Sequence, residues 1–362
     1  MRVLHIVAER GFSGGEDQLL HVVRALEAAG HENRFVLQPE AAFAPHAEAH
    51  GTIVDRVSMG GSLDLRAARH LGRLLRGEGI DLVHLADSRA HKLGLAGGAG
   101  KTGTPPVVVT RRMDYPIKRP WLGRRLYGPR VAAIVAVSAA VAREITKVGV
   151  PQDRVHVIHD GVDEHFADGL DDLRVEARDT FGLEPDHLAV LSLASLRPRK
   201  GQRELIQAFL ELRAAHPRAR LLLCGEGDDR AFLEDLARPA GDAIQLPGRV
   251  DARRALAAAD IACIPSRKEG LSVFSLEAQL ARRPVVASRV GGLVESVADG
   301  ETGVHVPPED PRALAGALAA VLGDAEIRAR FGAAGRARVL ERFTARQMAT
   351  KTVALYEAVV SR

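Results

Sequence analysis

The feature that most constrains this chain is an alternation of two kinds of segment. Short runs that are predominantly apolar rather than alternating, at residues 3–8, 34–37, 82–85, 107–110, 133–137 and 155–158, are separated by stretches rich in Ala, Leu and Arg. Those stretches, at 16–29, 65–76, 90–97 and 139–147, carry helical periodicity. An uninterrupted apolar run implies a strand covered on both faces, whereas a half-buried strand alternates. Strands of that kind separated by helices predict βαβ units and a parallel sheet.

The pattern then restarts. Runs at 188–193, 220–224, 244–246, 261–264 and 285–287 alternate with helical stretches at 202–215, 230–237, 252–259 and 275–281. Long amphipathic helices are expected at 311–322, 325–341 and 344–360. The polar, Asp-rich stretch 163–178 reads as a linker between the two sets. The expectation is an α/β chain of two Rossmann-like, doubly wound domains facing each other, 1–165 and 166–344. A ligand would lie in the cleft at the carboxyl ends of the strands, and the last helix, about 345–362, would cross back to the first domain.

Composition narrows the function. The chain has 362 residues, enough for two cores, and no apolar run reaches the roughly 18 residues that a spanning helix needs. Its start is too short for a signal peptide, so a cytoplasmic location is expected. Cys224 and Cys263 close apolar runs and read as buried thiols rather than a disulfide framework or metal cluster. A formal charge of +4 suits polyphosphate ligands or an anionic membrane. An aromatic content of 4% argues against stacking platforms for nucleic acid.

The strongest chemical signal follows the run at 261–264. It reads Pro265-Ser266-Arg267-Lys268-Glu269-Gly270-Leu271-Ser272-Val273-Phe274-Ser275-Leu276-Glu277. Gly270 permits a tight turn into a helix whose first amides, from about Leu271 to Phe274, would be unpaired and suited to phosphate. Carboxylates on either side of that helix start would accept hydrogen bonds from sugar hydroxyls.

This stretch resembles the Glu-x7-Glu signature of the retaining GT-B glycosyltransferases, in particular glycosyltransferase family 4, the group 1 glycosyltransferases. Its flanks resemble that family as well: Ala259-Asp260-Ile261 before it, Pro284-Val285-Val286-Ala287, Gly291-Gly292-Leu293-Val294-Glu295 and Gly300-Glu301-Thr302-Gly303 after it. The resemblance implies a GT-B architecture with an acceptor-binding first domain and a donor-binding second one. It also implies that Glu269 contacts the transferred sugar, that Glu277 binds the ribose and that the backbone of Gly270, Leu271, Ser272 and Val273 holds the phosphates. The reaction implied is front-face displacement with retention, without metal or other cofactor, from a nucleotide-diphosphate sugar, UDP being favoured over GDP or ADP.

A second match is Ser195-Leu196-Arg197-Pro198-Arg199-Lys200-Gly201. Cations at a helix start oppose the helix dipole, so three of them imply an anion to neutralise. The family pattern, Gly-Arg-Leu-x-x-x-Lys-Gly, makes Lys200 a diphosphate ligand and a catalytic candidate. Ser195 stands where the family has arginine, leaving Arg197 or Arg199 as the second cation. In Gly225-Glu226-Gly227 and Pro247-Gly248-Arg249-Val250, Gly225, Arg249 and Val250 are expected to hold the base, mostly through backbone. Gly14 and Gly15, in Gly11-Phe12-Ser13-Gly14-Gly15-Glu16, would lie beside the donor phosphates.

Acceptor-side candidates come from the first half. His84 is a candidate catalytic group, with Asp87 and His91 beyond it at a strand's carboxyl end. Many relatives carry a histidine after the next strand; here Arg111 and Arg112 stand in that segment and point to an anionic contact such as an acceptor phosphate. Asp160 replaces an asparagine of the family. Residues 111–130 carry seven basic side chains (Arg111, Arg112, Lys118, Arg119, Arg124, Arg125 and Arg130) with Tyr115, Trp121 and Tyr127 among them. That mixture suits peripheral contact with an anionic inner membrane face or a lipid-linked acceptor. The acceptor class implied is a glycan or lipid-linked hydroxyl in cell-envelope glycan or glycoconjugate biosynthesis, and no nucleic acid partner is expected. Alternatives are a nucleotide-sugar epimerase or hydrolase of the same fold, a non-catalytic nucleotide-binding protein and, third, a nicotinamide-dependent dehydrogenase. The last lacks the Gly-x-Gly-x-x-Gly spacing.

Overall fold

The apolar runs become strands of two all-parallel sheets. The structure, a computed structural model, describes every residue except Glu78 and Lys118. It divides into two units, Met1–Gly161 with Ala345–Arg362, and Val162–Thr344.

Among the described residues the first unit holds β1 (Arg2–Val7), β2 (Glu32–Leu37), β3 (Thr52–Arg56), β4 (Leu82–Leu85), β5 (Val107–Arg111), β6 (Ala133–Ala136) and β7 (Val155–Val157). Their order is β3-β2-β1-β4-β5-β6-β7. The helices are α1 (Gly14–Ala28), α2 (Ala44–Ala49), α3 (Leu65–Leu74), α4 (Ser88–Gly97), α5 (Pro120–Leu126) and α6 (Ala139–Thr146). The chain winds outward from β1 to β3, then returns to place β4 on the other side of β1. That reversal is the switch point at which doubly wound folds bind ligands.

The second unit repeats this plan. It holds β8 (Leu188–Leu193), β9 (Ala219–Cys224), β10 (Ile244–Gly248), β11 (Ile261–Ile264), β12 (Val285–Ser288) and β13 (Gly303–Val306), ordered β10-β9-β8-β11-β12-β13. Its helices are α7 (Arg174–Thr180), α8 (Gln202–Leu212), α9 (Arg230–Ala237), α10 (Ala252–Ala258), α11 (Val273–Leu280), α12 (Leu293–Ser296), α13 (Pro311–Gly323) and α14 (Ala325–Arg342). The switch point lies between β8 and β11. The last helix, α15 (Ala345–Val360), belongs to the first unit, where Met348, Tyr356 and Val359 are buried in one cluster with Val3, Val22 and Leu26. None of the helices among the described residues is long and apolar enough to cross a membrane.

Burial explains which elements were legible. Every residue of β4, β6, β11 and β12 is buried. The edge strand β3 alternates between half-buried and exposed positions, so no apolar run announces it. The edge strand β13 of the second sheet is also only partly buried, and neither it nor α5 has a clear signal in the sequence.

The linker expected at 163–178 is corrected. Leu170 and Ala177 are buried in the second unit's core, and α7 begins inside the stretch. Arg174 and Arg178 pair with Asp260 at 2.6 and 3.4 Å and donate to the carbonyls of Ala257, Ala258 and Ala259. The charges that made the stretch look solvated satisfy the exposed carbonyls at the end of α10.

Candidate functional site

The loops leaving β8 and β11 at the second unit's switch point touch along their length. Gly201 has φ +72, and a Cβ there would lie 1.9 Å from Pro265 O. Only glycine allows that approach. Beyond it the Arg267 amide donates to Arg199 O at 2.8 Å. Further along, Lys200 Nζ donates to Glu269 Oε2 at 2.5 Å. Lys200 and Glu269, 69 positions apart in sequence, are therefore neighbours because β8 and β11 are.

Glu269 is held from two sides. Ser266 Oγ donates to the same Oε2 at 3.1 Å, and the Glu269 carbonyl accepts the Gly292 amide at 3.1 Å. Both side chains of the ion pair are nearly buried, at 15% and 10% exposure for Lys200 and Glu269. An ion pair this dry is stronger than a surface pair, and removing either partner strands a charge. Among the described residues no donor is placed on Oε1, which leaves that oxygen available to a hydroxyl.

The helix start falls later than expected. Leu271 is buried, Ser272 is the N-cap and α11 begins at Val273. Ser272 has φ +82, a left-handed conformation that costs a non-glycine residue on the order of 1–3 kcal/mol. It is held there by Ser275, whose amide and hydroxyl both donate back to Ser272, while Ser275 Oγ accepts from the Ser296 hydroxyl at 2.9 Å. Val273 and Phe274 are the first two helical residues and have no intrahelical carbonyl to bond. Glu277 lies one turn on, half-buried.

The neighbouring loops close on one another by glycine contacts. Gly225, with φ +141, would place a Cβ 1.9 Å from Ala194 O, and Gly227 would place one 2.1 Å from Leu196 O. The Gly225 amide donates to Gly248 O at 2.7 Å. Arg249 is exposed beside these turns, and Val250 packs on the core. Of the two candidate second cations, Arg197 is exposed, whereas Arg199 has its Nη1 buried with no hydrogen-bond partner.

The first unit uses most of its expected site residues as framework. His84, the expected catalytic candidate, lies in the core, 2% exposed. Asn33 Nδ2 donates to the carbonyls of Val23 and His50, so its Oδ1 accepts from His5 Nε2 at 3.1 Å. His5 Nδ1 then accepts from His84 Nδ1 at 3.1 Å, and His84 Nε2 accepts from the Thr110 hydroxyl at 2.9 Å. Two backbone carbonyls thus set both tautomers, and both rings are neutral. Burial pushes the His5 pKa down to about 4 and that of His84 well below its usual range.

Asp87 caps α4 through the amides of Arg89 and Ala90 and accepts the Ala8 amide at 2.6 Å, joining the two loops of the first unit's switch point. His91 is buried, bonded to Leu126 O at 2.8 Å and packed on Tyr127. Arg111 folds its own loop by donating to the carbonyls of Met113 and Tyr115. All three expected acceptor-side residues make hydrogen bonds to backbone atoms, and Arg111 also contacts the Tyr127 hydroxyl. Arg112 differs. It pairs with the buried Asp160 at 3.4 Å and passes beside Gly15, whose Cβ would sit 3.7 Å from its Cδ. Burial raises the Asp160 pKa, opposed by Arg112. Gly14 and Gly15 open α1 behind Ser13, which forms a capping box with Glu16. In the basic stretch 111–130, Arg124 and Arg130 also bond backbone carbonyls, and Lys118 lies outside the described residues.

Ser266 and Arg267 were not singled out as functional in the sequence, although both stand inside the motif. Their signal was only adjacency, since nothing in the local pattern says that a serine three residues before an acid will touch it.

Two Rossmann-like α/β units with these loops at their switch points make the GT-B fold of glycosyltransferases. Residues 12–166 match Glycosyltransferase Family 4 and residues 174–338 match Glycosyl transferases group 1. The chain is 33% identical over 329 residues to the MMP alpha-(1->4)-mannosyltransferase of Mycolicibacterium hassiacum, a match covering 83% of this chain and 75% of that one. It therefore belongs to the group 1 glycosyltransferases of family 4. It is 30% identical over 232 residues to an uncharacterized glycosyltransferase of Methanocaldococcus jannaschii, covering 62% of this chain and 59% of that one. With a glycogen synthase of Mycobacterium tuberculosis the figures are 32% over 235 residues, covering 62% and 54%. The chain thus spans less than two thirds of the length of these last two relatives. Anabaena HepE in complex with UDP and glucose has the same fold, with a TM-score of 0.85 at 19% identity over 99% of this chain and 100% of that one. Sucrose-phosphate synthase from Thermosynechococcus elongatus matches with a TM-score of 0.81 at 21% identity, covering 99% of each.

Proposed function

We propose that this glycosyltransferase moves a sugar, with retention and without a metal, from a nucleotide-diphosphate sugar to a hydroxyl of a glycan or lipid-linked acceptor. The observation that carries the reading is the Lys200–Glu269 pair beside the start of α11. Lys200 and the first amides of α11 supply positive charge for a diphosphate. Glu269 keeps Oε1 for a hydroxyl of the transferred sugar, and Glu277 serves the ribose. The acceptor oxygen forms its bond to the anomeric carbon on the face from which the diphosphate oxygen leaves. The departing phosphate takes the acceptor proton, and its charge passes to Lys200 and the amides. Positioning and preorganised charge supply the rate. HepE has been solved with UDP-glucose and with UDP, which favours a UDP-sugar as the first donor to try.

On the acceptor side, Arg112 and its partner Asp160 are the remaining charged candidates. Exposed Trp121 and Tyr115 with Arg119 and Arg125 make residues 111–130 a candidate contact for an anionic membrane face on the cytoplasmic side, testable by co-sedimentation with anionic and neutral vesicles.

A thermal-shift panel of UDP, GDP, ADP and their common sugars selects the donor. Product anomer analysis by NMR, repeated with EDTA, then tests retention and metal independence. An inverted product or loss of activity in EDTA overturns that part of the reading. Epimerised or hydrolysed donor without any acceptor product replaces transfer with isomerisation or hydrolysis.

A further inference from the structure

The loop that carries Glu269 is tied down two residues before it, at Arg267. The Arg267 guanidinium pairs with Glu204 in the first turn of α8 and, at 3.2 Å, with Glu309 Oε2 in the turn before α13. Its backbone amide holds Arg199 O. One residue therefore joins the segments that follow β8, β11 and β13.

The contact is one-sided, and its geometry is informative. Glu204 is buried, yet its Oε2 has no hydrogen-bond partner, and Arg267 Nε is likewise buried without one. A carboxylate and a guanidinium can meet through two parallel bonds; here a single contact is made and two polar atoms are left dry. The contact with Glu204 nevertheless favours the charged guanidinium, whose pKa it raises against partial desolvation. Glu309 sits at φ +59, a left-handed conformation with its own cost for a glutamate. A buried acid and a strained one thus converge on one guanidinium, and what they hold is the loop between Gly201, Lys200 and Glu269.

We propose that Arg267 is a positioning residue for the transfer reaction. With Glu204 and Glu309 it sets the depth of the 265–270 loop, so that Lys200 and Ser266 meet Glu269 on Oε2 while Oε1 faces the sugar. The proposal rests on the reading of Glu269 as the sugar-binding carboxylate. Without the clamp, the loop keeps its contact through Gly201 but loses the restraint nearest Glu269, and a displacement of about 1 Å at a reacting group is enough to cost on the order of 100-fold in rate.

The test compares the full chain with Arg267→Met, Arg267→Lys, Glu204→Gln and the combined Arg267→Met/Glu204→Gln variant. The donor is whichever nucleotide sugar the thermal-shift panel selects. Arg267→Met is expected to lower kcat by about 10- to 100-fold with donor KM changed less than about threefold. Glu204→Gln should repeat the loss, the combined variant should add little to the worse single change, and Arg267→Lys should restore part of the rate. Backbone hydrogen exchange should quicken at residues 266–272 in Arg267→Met. A kcat within about twofold of the parent, or unchanged exchange over 266–272, overturns the proposal. If the parent turns over no nucleotide sugar, the transfer reading falls, and the exchange measurement alone still decides whether the clamp exists.

Discussion

Lys200 Nζ lies 2.5 Å from Glu269 Oε2, and the two groups come from loops on adjacent parallel strands, not from one motif. The pair joins the cation expected to face the diphosphate to the acid expected to face the sugar. On the proposed reading, binding of the two halves of the donor is coupled through this pair.

Changing Glu269 to Gln keeps the shape of the side chain and removes its charge. Transfer is expected to fall by about 100-fold or more, because Lys200 loses its anchor and the sugar loses a charged acceptor. Steady-state rates with saturating donor check this; full activity in the variant sinks the assignment of Glu269.

Lys200→Ala and Glu277→Ala are expected to separate from Glu269→Gln. Each should weaken binding of the nucleoside diphosphate itself by about tenfold, the equivalent of one charge-assisted contact. Isothermal titration with the nucleoside diphosphate gives the answer. Unchanged affinity in Lys200→Ala would move the charge to Arg197, the exposed cation of that loop.

The buried histidines predict how stability depends on pH. The unfolded chain takes a proton on His5 near 6.5, whereas the folded chain resists until about 4. Their contribution is present above about pH 6.5 and is lost as pH falls toward 4. At about 1.4 kcal/mol per pH unit, His5 alone accounts for on the order of 3 kcal/mol. Urea midpoints between pH 8 and pH 4.5 should fall over this window, and the imidazole NMR signals of His5 and His84 should stay neutral down to pH 5. A titration of either ring near pH 6.5 contradicts the tautomer chain.

Gly201→Ala combines a left-handed backbone with a Cβ placed on Pro265 O. A loss of more than about 2 kcal/mol in stability is expected, with reduced donor binding as the two loops separate. Gly11→Ala is the control, because a Cβ there meets nothing within 4 Å. Equal melting temperatures for the two variants would show that the loops do not need their close contact.

The candidate donor site was readable in the sequence as short contiguous motifs. Glu269, Gly270 and Glu277 are separated by a turn and a helix start, and local rules cover both. The first half was less readable for the opposite reason. His84, Asp87 and His91 carry chemistry-bearing side chains at a strand's end, which local rules score as functional. Only the neighbours, Asn33, His5 and Thr110 for His84, the Ala8 amide for Asp87 and the Leu126 carbonyl for His91, show which structural partners these groups already have.

What the sequence determined by itself was periodicity and motif: two sets of covered parallel strands, and acids and cations placed just after them. Both properties are local, since burial on two faces leaves an unbroken apolar run and a phosphate-binding turn needs its residues in order. What only the tertiary structure decided was partnership. Sheet order, not chain order, places β8 against β11, so Lys200 reaches Glu269 and Arg267 reaches Glu204 across gaps of 69 and 63 positions. Side chains find partners by distance in space, and a sequence records distance only along the chain.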